Sequence, residues 1–342
     1  MIGIGVIGYG YWGPNLARVV SETEGCGIAA IADQSTDALR RAHKRHPTAR
    51  LAGDWQDLVN DPRVDAVMVA TPVSSHFDIA LAALEAGKHV LVEKPIAETS
   101  AQAAILIEEA ARRGLTLMVD HTFVYTGAVQ TIQGMIESGA LGDLYYYDST
   151  RINLGLFQRD VNVLWDLAVH DLAILDFILP AEPLAVSASG VGHIPGSPEN
   201  MAQLTIFFAG GAIAHLNVNW LAPVKIRQTL IGGSRKMIVY DDLQTSEKIK
   251  VYDRGVNLAS DPEEVRKAMV SYRIGDMSAP QISVKEALLT EVEHFIQCIE
   301  AKTRPITDGM SGLRVVKMLE AASQSLRQRG QPIDLVKLRR AS

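Results

Sequence analysis

Short apolar runs alternate with helix-like segments through the first 120 residues. The strand-like runs read IGIGVIG near the N-terminus, GIAAIAD, VDAVMVA from Val64, KHVLVEK from Lys88 and LTLMV from Leu115. The segments between them predict helices over residues 14–20, 38–43, 74–86 and 101–113. This alternation is typical of a parallel sheet with crossover helices, and the nearly continuous apolar strands favour a sheet covered on both faces. We therefore expect an α/β, doubly wound domain over residues 1–120.

The pattern changes after Val119, where strands follow one another in series. A helix is predicted over 127–137, a strand over 143–153 and an apolar helix over 163–179. The runs MAQLTIFF and IAHLNVNW predict two strands joined at Gly210-Gly211. Further strands are predicted over 227–232, 236–240 and 248–252, a long loop with a short helix over 253–280, and helices over 284–300 and 311–327. We expect residues 121–342 to form an α+β domain with a large open, mostly antiparallel sheet.

A glycine-rich turn, GYGYWG at residues 8–13, directly follows the first strand and fits G-x-G-x-x-G. Glycines in this pattern allow a pyrophosphate to approach the N-terminus of the next helix. Asp33 ends the second strand, where a carboxylate accepts hydrogen bonds from the adenosine ribose and repels a 2′-phosphate. The motif predicts a Rossmann domain that binds NAD, with NADP less favoured; the alternative is a packing turn with Asp33 capping the next helix. The predicted cofactor residues here are Gly8, Gly10, Tyr11, Trp12, Gly13 and Asp33.

Other candidates follow the next strands at the same edge, where open α/β sheets bind ligands. The loop ATPVSSHF offers Thr71, Pro72 and His76 as cofactor neighbours, although helix capping or packing explains His76 equally well. The following strand ends in Glu93 and Lys94, so an ammonium group reaches this edge. A surface lysine before a turn proline is the alternative for Lys94.

Three stretches together resemble the Gfo/Idh/MocA oxidoreductases: VIGYGYWGPN, DAVMVATPVSSHFDIALAALEAGKHVLVEKPIA and WDLAVHD. The family includes glucose-fructose oxidoreductase, inositol dehydrogenase and nucleotide-sugar dehydrogenases. The resemblance covers the chain in order and length. It implies that Lys94 is the lysine between cofactor and substrate, and that the Lys94-Pro95 bond is cis.

Two ionisable side chains on the apolar helix over 163–179 are the candidate acid and base. Asp166 and His170 are four residues apart, which in an α-helix places them on one face. Imidazole has a pKa suited to taking a hydroxyl proton as hydride leaves for nicotinamide. The resemblance assigns His170 as general acid/base and Asp166 as a substrate contact, with Lys94 as the third catalytic residue. A histidine satisfied in the core is the alternative, and Asp171 and Asp176 are interpreted as structural.

The segment RINLGLFQRDVN leads into this helix and supplies polar groups near the expected pocket. An arginine there can bind a diphosphate or carboxylate in bidentate fashion. The resemblance is strongest to members that oxidise C3 of a UDP-N-acetylhexosamine or its uronate. One alternative is a free polyol dehydrogenase, such as an inositol dehydrogenase. Another is a non-catalytic regulator that binds a dinucleotide. The segment DHTFVYTGAV lacks an Arg-Tyr or Arg-Phe pair common in the family. The predicted substrate contacts are His121, Tyr125, Arg151, Asn153, Gln158, Arg159 and Asn162, with packing equally plausible for His121 and Tyr125.

Composition and charge limit the classes of partner that the protein is expected to bind. The net charge of −6 gives no field that would attract nucleic acid or an anionic membrane. Two distant cysteines, and the lack of a signal-like leader or a membrane-spanning apolar run, make the cytoplasm the expected location. We predict no metal site. A homodimer or homotetramer through the open sheet is expected, because the resemblance implies subunit contact there and the apolar alternation in its strands suits a second buried face.

Overall fold

A computed structural model describes residues 1–155, 161–179, 181–257 and 271–335. Within these ranges, six parallel strands form one sheet in the order β3-β2-β1-β4-β5-β6. This order, with helices between the strands, confirms the doubly wound fold. The strands are β1 (Ile2–Ile7), β2 (Cys26–Ala32), β3 (Arg50–Ala52), β4 (Ala66–Val69), β5 (His89–Glu93) and β6 (Leu117–Asp120).

A second sheet in the described ranges has nine strands, in the order β14-β13-β12-β11-β7-β10-β9-β8-β15. Its pairs are antiparallel except for the parallel pair of β7 with β10, which confirms a mostly antiparallel sheet. The strands are β7 (Leu144–Leu154), β8 (Pro183–Val191), β9 (Met201–Phe208), β10 (Ile213–Asn219), β11 (Leu221–Gly233), β12 (Met237–Asp241), β13 (Ile249–Asn257), β14 (Ser271–Ser278) and β15 (Ile333–Asp334).

The helices begin and end close to the predicted bounds, with two additions. A short helix, α3, was not predicted, and a π-helical turn precedes α7 at Leu164–Ala168. None of the described helices is both long and apolar enough to cross a membrane. The helices are α1 (Gly13–Glu22), α2 (Thr36–Arg45), α3 (Trp55–Val59), α4 (His76–Glu85), α5 (Ser100–Arg113), α6 (Gly127–Glu137), α7 (Val169–Ile178), α8 (Ala287–Ala301) and α9 (Gly309–Arg327).

The chain divides into two compact units. Unit 1 contains Met1–Thr126 and Lys285–Lys317, and unit 2 contains Gly127–Val284 and Met318–Ser342. Residues 285–317 therefore belong to the unit that contains the parallel sheet, whereas the sequence suggested one continuous second domain over 121–342. Helix α8 packs against α1, and Met118 of β6 forms a β-bridge with Asp308.

The long loop predicted over 253–280 is wrong for its described parts. Residues up to Asn257 extend β13, and Ser271–Ser278 form β14, which pairs with β13 in antiparallel fashion. The polar composition of this segment suits an edge hairpin, because strands at the edge of a sheet face water on more sides than central ones.

Candidate active site

The glycine-rich turn of unit 1 has the backbone geometry that the motif requires. Gly8 has φ of 91°, and a Cβ added there would lie 2.5 Å from the carbonyl oxygen of Ala70. A Cβ at Gly13 would lie 1.9 Å from the carbonyl oxygen of Gly8, so the helix start packs directly on the turn. A Cβ at Gly10 would meet no described atom within 4 Å. The turn is thus closed on its inner side and open at Gly10, which fits a pyrophosphate approaching the start of α1.

Asp33 holds this turn from the end of β2. Its Oδ2 accepts a hydrogen bond from the Tyr9 N–H at 2.6 Å, and its Oδ1 accepts one from the Ser35 N–H at 2.7 Å. Ser35 is the N-cap of α2, since its hydroxyl accepts from the Ala38 N–H. The alternative in which Asp33 caps that helix is therefore wrong. Asp33 links the glycine turn to the start of α2.

A cleft of about 380 Å³ opens beside Asp33 at the carboxyl edge of the sheet. Four predicted cofactor positions besides Asp33 line it, together with residues that the sequence analysis did not select. The predicted ones are Gly8, Gly10, Thr71 and Pro72; the added ones include Gln34, Gly53, Trp55, Ser74 and Ser75. The Ser75 hydroxyl donates to Thr71 Oγ1 at 2.8 Å, so the loop after β4 is internally braced.

His76 is not among the residues that line this cleft, which favours the packing interpretation over that of a cofactor neighbour. The side chain is 1% exposed, with Nδ1 2.8 Å from the Pro95 carbonyl oxygen and Nε2 2.8 Å from the Thr71 carbonyl oxygen. Burial lowers the pKa of His76, and the two carbonyl contacts oppose that shift. The imidazole joins the loop after β4 to the loop after β5, so its role in the described structure is to brace them.

The loop after β5 carries the predicted lysine. The Lys94-Pro95 peptide bond is cis, which confirms that prediction. Lys94 is half-buried, and its backbone N–H donates to Glu93 Oε2 at 3.1 Å. Burial raises the pKa of Glu93 well above its usual range, and the charge of Asp120 raises it further.

His121 and Tyr125 follow β6 and lie in the interior. Tyr125 is 3% exposed, and its hydroxyl lies 2.9 Å from Thr307 Oγ1, which favours the packing interpretation. His121 is 2% exposed, and in the described ranges neither ring nitrogen has a hydrogen-bond partner. Burial lowers the pKa of His121 to about 4, so the ring is neutral near pH 7.

In unit 2, Asp166 and His170 lie at the start of the apolar helix and line one pocket of about 530 Å³. Asp166 belongs to the π-helical turn, whereas His170 belongs to α7. The predicted uniform α-helix is therefore wrong for Leu164–Ala168; single π turns of this kind often occur at functional sites. The indole N–H of Trp220 donates to Asp166 Oδ2 at 2.9 Å, which fixes this carboxylate.

Two cationic residues of the same pocket were missed by the sequence analysis. The register of β11 against β7 shifts between Leu221 and Ile226, so the residues between them bulge out of the ladder. This bulge brings Lys225 to the pocket wall, and Arg227 follows it. Bulges commonly re-aim side chains beside active sites. Arg227 Nη1 lies 3.2 Å from Asp242 Oδ2, and in the described part of the chain no ion pair involves Lys225.

The predicted substrate contacts before the helix differ in their surroundings. Asn153 lines the pocket. Arg151 is 4% exposed and forms a bidentate ion pair with Asp171, which favours a structural role over the predicted substrate contact. The same pair supports the interpretation of Asp171 as structural.

Asn162 acts locally at the start of the π-helical turn. Its Oδ1 accepts from the Leu164 N–H at 3.1 Å, and its Nδ2 donates to Glu199 Oε2 at 3.1 Å. This satisfies a backbone donor that a helix start leaves unpaired. Gln158 and Arg159 lie outside the described residues.

Comparison with known proteins matches both parts of the chain. A family model described as "Oxidoreductase family, NAD-binding Rossmann fold" matches residues 2–121, and its companion, "Oxidoreductase family, C-terminal alpha/beta domain", matches residues 133–335. All residues that line the cleft beside Asp33 therefore lie in a domain of the NAD-binding type, and the glycine turn and Asp33 fit that cofactor.

Individual relatives act on sugars and cyclitols. A UDP-N-acetylglucosamine 3-dehydrogenase of Acidithiobacillus ferrooxidans is 29% identical over 256 residues, covering 74% of this chain and 76% of the relative. A solved structure of that enzyme covers 96% of this chain and 99% of its own at 26% identity, with a TM-score of 0.78. A scyllo-inositol 2-dehydrogenase (NAD(+)) of Bacillus subtilis is 23% identical, covering 98% of this chain and 95% of the relative.

Proposed function

Because the chain belongs to the Gfo/Idh/MocA family of oxidoreductases, as its sequence resemblance implied, we propose that it exchanges hydride between a sugar secondary hydroxyl and NAD, with His170 as acid/base. The observation that carries this proposal is the shared pocket of Asp166 and His170. NAD, when bound, supplies the hydride acceptor. Named relatives are dehydrogenases of sugar or cyclitol hydroxyls, so this class of reaction is established for the family.

Each side chain has a separate task in this mechanism. His170 takes the hydroxyl proton during oxidation and returns it during reduction. Asp166, held by the Trp220 indole, accepts a hydrogen bond from a substrate hydroxyl and orients the ring. Lys94 stabilises the negative charge that develops on the alkoxide oxygen.

The pocket charges favour a nucleotide sugar over a neutral polyol. Lys225 and Arg227 place two cations on the pocket wall beside Asp166 and His170. A diphosphate or uronate carboxylate gains from such groups, whereas a cyclitol does not. The similarity to the UDP-N-acetylglucosamine 3-dehydrogenase points the same way, so we propose a UDP-N-acetylhexosamine, or its uronate, oxidised at C3.

A substrate panel tests the reaction and the substrate together. The protein is incubated with NAD and UDP-N-acetylglucosamine, its uronate or myo-inositol, and NADH is followed by fluorescence. We expect turnover with a UDP-sugar, and Lys225→Ala to raise its KM about tenfold while leaving kcat close to the parent value. Turnover of inositol alone contradicts the substrate proposal and leaves the reaction class standing.

Variants of the pocket test the assignment of the base. His170→Ala should lower kcat by about 10²- to 10⁴-fold without changing NADH affinity. His193→Ala is the matched control, because His193 lies in unit 2 outside the pocket and bonds to Asn200. Parental turnover by His170→Ala with the true substrate would exclude this histidine as the base.

We also propose that the outer face of the second sheet binds a second copy of the chain. Register places Phe207, Ile213 and Tyr146 on one face, opposite the face that buries Tyr147 and Leu216. Phe207 is 38% exposed, and such an apolar face suits subunit contact. Light scattering should give a multiple of the single-chain mass, and Phe207→Asp should lower it. A single-chain mass for the parent protein contradicts this proposal.

A further inference from the structure

Trp12, in the glycine-rich turn, bonds to a carboxylate at the far side of the Rossmann sheet. Its indole Nε1–H donates to Asp120 Oδ2 at 2.7 Å. Trp12 follows β1 and Asp120 ends β6, and β4 and β5 lie between these strands. The bond therefore connects the segment after β1 to the end of β6, three strand positions away in the sheet. Both lie at the edge where Rossmann domains bind their cofactor.

The turn is consequently tied at two points by two carboxylates. Asp33 accepts from the Tyr9 N–H on one side of Gly10, and Asp120 accepts from the Trp12 indole on the other. Between these ties, Gly10 is open and Tyr11 is 92% exposed. The two carboxylate bonds therefore lie on either side of the open tip of the turn.

Asp120 lies in a polar cluster, where its side chain is hydrogen-bonded to Glu93 and Glu291 as well as to Trp12. It is 2% exposed, and its other oxygen, Oδ1, accepts from the Thr122 hydroxyl at 2.5 Å. Both oxygens of Asp120 thus accept hydrogen bonds in the described structure. Burial raises the pKa of Glu93 and of Glu291 well above the usual range, and the charge of Asp120 raises both further. Three neighbouring carboxyls, of which Asp120 and Glu291 are buried, cost folding free energy, and such clusters occur at functional sites more than in ordinary cores.

We propose that Asp120 is a positioning residue for NAD binding. Asp120 holds the Trp12 indole and thereby keeps the glycine-rich turn in the conformation that receives the pyrophosphate. Asp120 acts through Trp12 and needs no cofactor contact of its own. A turn that is already ordered loses less conformational freedom when the cofactor binds, so its affinity is higher. The inference rests on NAD binding by unit 1 and is independent of the sugar substrate proposed above.

A double-mutant cycle on NAD binding tests the proposal. Asp120→Ala removes the acceptor, and Trp12→Phe keeps an aromatic ring but removes the N–H donor. Each should raise the Kd for NADH, measured by calorimetry or fluorescence titration, by about tenfold, as expected for loss of a hydrogen bond to a charged group. The double variant should bind about as weakly as either single one, because both changes break the same contact.

Asp61→Asn is the matched control. Asp61 is also 2% exposed and bonds to Arg50 and Arg63, but it precedes β4 at the opposite edge of the sheet. We expect this variant to lose thermal stability and keep the parental Kd. If Asp120→Ala does not fold, Asp120→Asn and Trp12→Phe provide the same comparison.

Two results would overturn the proposal. One is a parental Kd in folded Asp120→Ala or Asp120→Asn. The other is a double variant whose loss equals the product of the single losses, since independent effects would show that Asp120 does not act through Trp12.

Discussion

The buried ion pair between Arg151 and Asp171 distinguishes a structural role from a substrate-binding role. Arg151 Nε lies 2.8 Å from Asp171 Oδ2, and Nη2 lies 3.1 Å from Oδ1. The two side chains are 5% and 3% exposed. The pair connects β7 to α7, the helix that carries His170, so it stabilises the fold of this unit without taking part in the pocket.

Replacing one partner leaves the other charge buried and unpaired. Such single replacements cost about 3–5 kcal/mol of unfolding free energy. For domains of 150–250 residues, each kcal/mol lowers Tm by about 2–4 °C, so Arg151→Met should lower Tm by roughly 6–20 °C. The double variant Arg151→Met/Asp171→Asn should recover part of this loss, because no buried charge then remains unpaired.

Thermal and urea unfolding, followed by circular dichroism, measure the stability, and steady-state kinetics below the transition measure KM for the sugar substrate. We expect a lower Tm with an unchanged KM for Arg151→Met. Lys250→Met is the control, because Lys250 forms an exposed pair with Glu247 at 4.0 Å; its effect should stay within about 0.5 kcal/mol. A variant of Arg151 with parental Tm and a raised KM would refute the structural role and restore the substrate contact suggested by the sequence.

Three further predictions concern unit 1. Asp33→Ala should raise the Kd for NADH, because it removes both the Tyr9 tether and the ribose acceptor; titration that gives an unchanged Kd contradicts this placement. His121 is held neutral by a pKa of about 4, against about 6.5 when unfolded, so the free energy of unfolding measured with urea should fall as pH drops from 6.5 to 4, by up to about 3 kcal/mol, and His121→Asn should flatten that dependence. Burial raises the pKa of Glu291, so its contribution to stability is present below about pH 4.5 and lost as pH rises. The free energy of unfolding of Glu291→Gln should therefore increase relative to that of the parent protein from pH 5 to pH 8. A difference between the two proteins that stays constant with pH would contradict this.

The Rossmann sheet could be predicted because its information is local. Each strand is a short apolar run, and consecutive strands joined by helices usually lie close together in one sheet with right-handed crossovers. The glycine-rich turn then indicates which edge of the parallel sheet binds the cofactor. The three-residue β3 and the five-residue α3 were missed because elements this short show no clear hydrophobic period.

The second sheet was predicted less completely because its pairing is non-local. Strands β13 and β14 pair with each other although residues 258–270 separate them in the sequence, and the polar composition of this segment suggested a loop. The bulge in β11 depends on its register against β7, some 70 residues earlier in the chain, so Lys225 could not be placed at the pocket from sequence spacing. The association of residues 285–317 with unit 1 likewise has no local signal.

The pairing of Arg151 with Asp171 was not predicted, although the sequence contained the information needed to infer it. Tyr147, Ser149 and Arg151 follow the two-residue period of β7 and are all buried, so alternation alone places Arg151 on the inner face of the sheet. A buried arginine requires a carboxylate, and Asp171 points away from Asp166 and His170 on the predicted helix. These two facts together select Asp171 as the partner of Arg151. Asp166 and His170 instead line one pocket together, which is the reason for seeking the chemistry of this unit at these two residues.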